Sequence, residues 1–110
     1  MLITKICAIE IFRSVAKNKT KSEEGKKAAF FIAECQFASK DYASAVLEYS
    51  DFKKNHPKDS LLPNAIYRQA NAFRNLGKTK EAKLFYQELL ASFPKHGLAT
   101  KAKQEMKKLK

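Results

Sequence analysis

The residues of this 110-residue chain best suited to chemistry are two histidines, His56 and His96, and two cysteines, Cys7 and Cys35. Histidine serves as a general base or a metal ligand. Here each histidine stands beside a helix-breaking residue, Pro57 or Gly97, with no second ligand at metal-binding spacing. Both read as surface loop residues. Two cysteines make neither a disulfide framework nor a metal site. They read as small residues in tight helix packing, and a disulfide between them would need an oxidising compartment. No Gly-rich phosphate loop, nucleophile elbow or carboxylate pair is legible. Asn18-Lys19-Thr20 spells a glycosylation acceptor, a signal only in a eukaryotic secretory setting. The chain therefore reads as a non-enzyme without metal or cofactor, whose chemistry is recognition.

The elements that position any recognising residues are set by a repeat. Across residues 41–57, Tyr42, Ala45, Val46, Tyr49 and Phe52 fall on one helical stripe, closed by Pro57. Thirty-seven residues later Ala45, Tyr49, Phe52 and Pro57 return as Ala82, Tyr86, Leu89 and Pro94, and 37 residues earlier Ala8, Phe12 and Val15 echo the first three. A period of this length marks stacked helical hairpins. Two antiparallel helices cannot bury their apolar faces alone, so each pair needs a neighbour. Alanine recurs where backbones must approach, Ala33 with Ala45 and Ala70 with Ala82.

In order, the pattern predicts helices over 2–16, 28–39, 42–55, 62–76, 79–92 and 98–109, with no strand: an all-α solenoid of about six helices. The polar stretch 17–27 connects the first two, although Ser22, Glu23 and Glu24 favour a helix start. Asp59 and Ser60 offer capping oxygens, Pro63 suits a first turn, and Gly77 allows a left-handed helix end. The domain divides as a half repeat over 2–27, full repeats over 28–64 and 65–101, and a C-terminal capping helix over 98–109. The first helix lacks a hairpin mate for Ile6, Ile11, Phe12 and Val15, which leads us to expect self-association through residues 2–16 or cover from residues upstream.

No apolar run is long enough to span a membrane. Lysine and arginine number 22 against 11 acidic residues, a net charge of +11. That charge admits nucleic acid as the alternative partner. By segment it is +4 over residues 1–27, −1 over 28–60, +4 over 61–97 and +4 over 98–110. It consists chiefly of single lysines, not an arginine-and-aromatic stripe. An acidic protein or an anionic envelope surface would suit it as well as RNA.

The spacing resembles the tetratricopeptide repeat. Ala65, Tyr67, Ala70, Phe73, Gly77, Glu81-Ala82, Tyr86, Leu90 and Pro94 carry the resemblance in one copy, and Ala33, Asp41-Tyr42, Ala45, Tyr49 and Pro57 in the other. Gln36 and Gln69 depart from it, standing where the repeat prefers apolar residues. The 37-residue period, with FFIAECQFASKDYASA, HPKDSLLPNA and FPKHGLATKA, is similar to the C-terminal repeat domain of the Tol–Pal-associated YbgF/CpoB family. The resemblance implies a non-catalytic protein–protein scaffold of the bacterial cell envelope with a role around cell division. It implies a periplasmic protein, or a cytoplasmic one if the chain is complete as given. It further implies that the first helix of each pair lines a concave groove. The groove residues so implied are Lys27, Phe30, Glu34 and Phe37, then Asn64, Tyr67, Asn71, Arg74 and Asn75, with Lys101 and Gln104 on the last helix. Asn71 would hold a peptide backbone, Arg74 would fork a carboxylate, and Phe30, Phe37 and Tyr67 would give apolar purchase. Phe30 and Glu34 stand where some chaperone-binding repeats place a carboxylate clamp, so that clamp is not expected.

Overall fold

The computed structural model describes residues 23–109. They form five helices: α1 (Glu23–Ala38), α2 (Tyr42–Asn55), α3 (Leu62–Asn75), α4 (Thr79–Ser92) and α5 (Gly97–Lys108). Among the described residues there is no strand. The helix expected over 2–16, its self-association and Cys7 lie outside the described residues.

Four of the five helices begin and end within a residue of the positions their sequence signals set. The exception is α1, which starts five residues before Ala28. Glu23 and Glu24 suit a helix N-terminus, and Gly25 and the two lysines after it are carried inside the helix. At α2 the Asp41 carboxylate accepts from Ser44 N–H at 3.4 Å. At α5 His96 Nδ1 accepts from Leu98 N–H at 3.0 Å, so this histidine is a cap. Before α3 the Asp59 carboxylate accepts from Leu61 N–H at 2.8 Å, and Pro63 sits in the first turn. Lys26 reaches this loop from α1, 2.6 Å from Asp59. Burial alone would raise the Asp59 pKa; the Lys26 and Leu61 hydrogen bonds and the nearby positive charge bring it below the usual carboxylate value.

The helices alternate direction through short turns. Two of these turns are built alike. Asp41 N–H donates to Gln36 O and Lys40 N–H to Phe37 O; one repeat on, Lys78 N–H donates to Phe73 O and Gly77 N–H to Arg74 O. This double closure needs a left-handed residue at its corner. Gly77 supplies it at φ +80°, and Lys40 is forced into it at φ +67°.

The core is two copies of one junction. Ala33 on α1, Ala45 on α2 and Ala65 on α3 meet in the first, with Tyr49 and Phe52 beside them. Ala70, Ala82 and Ala102 on α3, α4 and α5 meet in the second, with Tyr86 and Leu89. All six alanines have no exposure. Phe73 and Phe85 stack edge to face at 5.0 Å across the second hairpin. Gln69 is fully buried between hairpins, its amide donating to Val46 O at 3.1 Å and Ser50 Oγ at 2.8 Å. Those bonds satisfy the donor half of a polar group placed where the repeat prefers an apolar one.

Cys35 is buried on α1 and disulfide-bonded. It is a covalent tie, and close packing alone does not describe its role.

Two substitutions test this packing. Ala82→Leu is expected to cost about 1–3 kcal/mol through overpacking, whereas Ala91→Leu on the exposed side of α4 leaves the urea midpoint nearly unchanged. Lys40→Gly relieves a left-handed non-glycine residue and is expected to stabilise by about 0.5–1 kcal/mol, a rise in thermal midpoint measurable by calorimetry.

Candidate functional site

The first helices of the hairpins line one face. α1 contacts α3 and α3 contacts α5 directly, while α2 and α4 stand behind them as the outer wall. That outer wall is tied by Lys53, whose ammonium lies 3.1 Å from Glu88 and 5.1 Å over the Phe85 ring.

Two repeat-related hydrogen bonds set the floor of the inner face. Tyr49, fully buried on α2, donates its hydroxyl to Glu34 Oε1 on α1. Tyr86, its counterpart on α4, donates to Asn71 Oδ1 on α3. Each tyrosine crosses its own hairpin and fixes a polar side chain in the inner wall. Burial pushes the Tyr86 hydroxyl up to about 12, with Arg74 opposing and Tyr67 adding to the rise. Burial also raises Tyr49, reinforced by the hydrogen bond to Glu34 and that residue's charge, with Arg68 opposing.

Ion pairs then join successive hairpins along the same face. Arg68 on α3 reaches back to Glu34 at 3.2 Å, its guanidinium 5.2 Å over the Phe37 ring. Arg74 pairs with Glu105 on α5, which Lys108 also approaches at 3.6 Å. The two junctions use opposite polarity: the preceding helix supplies the acid at the first and the base at the second.

A family model described as tetratricopeptide repeat matches residues 28–59 and again residues 64–96. The chain belongs to the tetratricopeptide repeat family. No curated protein matches it. Tetratricopeptide repeats mediate protein–protein interaction, which makes the inner face of α1, α3 and α5 the candidate site.

The structure places the expected groove residues unevenly. Glu34, Asn71 and Arg74 lie in the polar row just described, and Phe37 flanks it beneath Arg68. Lys27, Asn75, Lys101 and Gln104 are exposed, and Asn64 is half-buried. Phe30 is turned into its own hairpin, with its ring 5.7 Å from Tyr49 and 5.4 Å from Phe52. Its part is packing, because the small residues around Ala33 leave room beside those rings. Tyr67 likewise leans on Tyr86 at 6.0 Å.

Asn71 and Arg74 differ from expectation in how free they are to bind. Asn71 is only 7% exposed and its carbonyl oxygen is taken by Tyr86. Arg74 already holds an internal carboxylate, that of Glu105. A partner therefore meets a pre-paired row. Sequence reasoning missed Arg68 and Glu105, which occupy the same repeat position 37 residues apart. An arginine and a glutamate sharing one column, each able to reach the helix before it, was the available signal.

The raised tyrosines give a pH signature. Their neutral forms are favoured in the folded state, so the stability they carry is complete below the unfolded value near 10 and falls as pH rises through the folded value. Urea midpoints should decline from about pH 10 upward, and Tyr49→Phe with Tyr86→Phe should flatten that decline relative to wild type.

Proposed function

We propose that this chain is a non-catalytic scaffold that holds a segment of a partner protein along the inner face of α1, α3 and α5. The observation that carries the reading is the pre-ordered polar row. Glu34, Arg68, Asn71, Arg74 and Glu105 are held by tyrosine hydroxyls and ion pairs before any partner arrives. Ordered side chains lose less freedom on binding, so a partner segment gains more from each contact. Phe37 and Tyr67, both half-buried, add apolar surface beside the row, while half-buried Asn64 and exposed Asn75, Lys101 and Gln104 form its rim.

We place this scaffold in the bacterial cell envelope, in a Tol–Pal-like role connected with division. The resemblance of the 37-residue repeats supports the placement. The partner segment carries both an acidic and a basic side chain: to engage Arg68 or Arg74 it displaces Glu34 or Glu105, and the released carboxylate then needs a cation.

The test is capture from envelope extract by wild type and by Arg68→Glu with Arg74→Glu, followed by binding of a synthetic segment of any captured protein. Both should bind wild type, with at least about a tenfold loss in the double variant while its circular dichroism is unchanged. A captured protein that binds both forms equally removes the groove from the mechanism. Salt-sensitive binding of labelled RNA with no protein captured would favour nucleic acid instead.

A further inference from the structure

The last described helix, α5, presents a second surface that begins at the groove's rim, where Lys101 and Gln104 belong to both. Its buried side is Ala99 and Ala102, with Leu98 and Met106 packed against the second junction. Its outer side carries Lys101, Lys103, Lys107 and Lys108, all exposed. At 100° per residue, Lys103 and Lys107 fall on one flank of the exposed arc and Lys101 and Lys108 on the other. Gly97, Thr100 and Gln104 lie between the flanks, and each is exposed. α5 has one acidic residue, Glu105, and it is turned inward to Arg74, its side chain 17% exposed. Lys108 touches it at 3.6 Å but stays 72% exposed.

Among the described residues no helix covers this side of α5, and an uncovered repeat helix needs a polar outer face for solubility. Solubility alone is served by both signs of charge interspersed. The outer face of α5 has lysine only. The antiparallel connection also brings the start of α4, with exposed Lys78 and Lys80, to the end of α5 that bears Lys107 and Lys108.

We propose that this lysine face docks the protein on an anionic lipid surface. The geometry suits a plane. Small and neutral residues along the midline let the helix lie flat, while long lysine stems splay to either side and reach separate headgroups. An extended acidic peptide along the midline would meet both flanks only with the lysine stems folded inward, whereas a plane of headgroups meets them splayed. Nucleic acid is the weaker match. The face holds no arginine to fork a phosphate and no aromatic ring to stack a base. The described arginines, Arg68 and Arg74, are both committed within the groove. Docking is peripheral, because no described helix is long and apolar enough to cross a membrane.

Co-sedimentation with vesicles of phosphatidylglycerol and phosphatidylcholine, against phosphatidylcholine alone, tests this. The folded wild type should partition to the anionic vesicles at low salt, be released by high salt, and ignore the neutral ones. Changing Lys101, Lys103, Lys107 and Lys108 to Gln should lower the partition coefficient by at least about a hundredfold. Changing exposed Lys40, Lys54 and Lys58 to Gln, on the hairpin at the other end, should leave it within about threefold, showing that position and not net charge is read. Circular dichroism confirms that each variant is folded. Equal losses in the two variants overturn the proposal, as does a wild type that ignores anionic vesicles. Labelled RNA held more tightly than vesicles at physiological salt overturns it in favour of nucleic acid.

Discussion

Everything in this structure depends on three backbones coming together over methyl groups. At each junction an alanine from the first helix of a hairpin, one from its second helix and one from the next hairpin are all without exposure. A side chain larger than alanine at any of the three would push a helix outward, because interiors are packed too densely to absorb it. The close approach also decides what tyrosine can do. Tyr49 and Tyr86 lie one turn beyond Ala45 and Ala82, and only with the helices this near can their hydroxyls cross to the far wall. Burying those hydroxyls without partners would cost more than the rings gain. The alanines thus fix the helices, the helices aim the tyrosines, and the tyrosines set the groove.

The groove inherits its order from that chain of causes. Glu34 and Asn71 are repeat equivalents, and each is held by the equivalent tyrosine, yet one is charged and the other neutral. Arg68 answers the charge at Glu34. Next to Asn71 no charge needs answering, and the inter-hairpin pair moves one turn along, to Arg74 and Glu105. One backbone frame therefore presents two different polar patterns in succession. That difference gives a partner segment a direction and a register, which a strictly repeated face would not.

Much of this was legible in the sequence because the repeat is written in residue size. Alanine and proline at a fixed period locate the helices to within a residue for α2 through α5, and they identify Ala45 and Ala82 as contact points. The start of α1 was less legible because Gly25 and flanking lysines look like a connection, while the acidic pair before them pulls the helix back to Glu23. Phe30 and Tyr67 share a column that looks outward by periodicity. A half-buried ring can lean either way, and the rings beside Phe30 draw it inward. Least legible were the partners of polar atoms. Nothing local to Arg74 announces Glu105, which is 31 residues away and reaches it only once the last helix docks. Lys40 could be aligned with Gly77 by period, but its left-handed backbone follows from the turn's hydrogen bonds and not from lysine's own preference.

Charge separates the two surfaces into different kinds of work. In the groove each described arginine faces a carboxylate, so long-range attraction is largely cancelled there and recognition rests on short-range fit. On α5 the single glutamate is withdrawn into that same groove, where of the α5 lysines only Lys108 also approaches it, which leaves Lys101, Lys103 and Lys107 uncompensated. One ion pair therefore shapes both faces: Glu105 neutralises Arg74 on the inside and, by turning inward, leaves the outside cationic. Uncompensated charge acts over a Debye length and governs encounter, while paired charge in a fixed frame governs discrimination. A scaffold held at an anionic surface through one face and reading a partner through the other would use each where its range is suited.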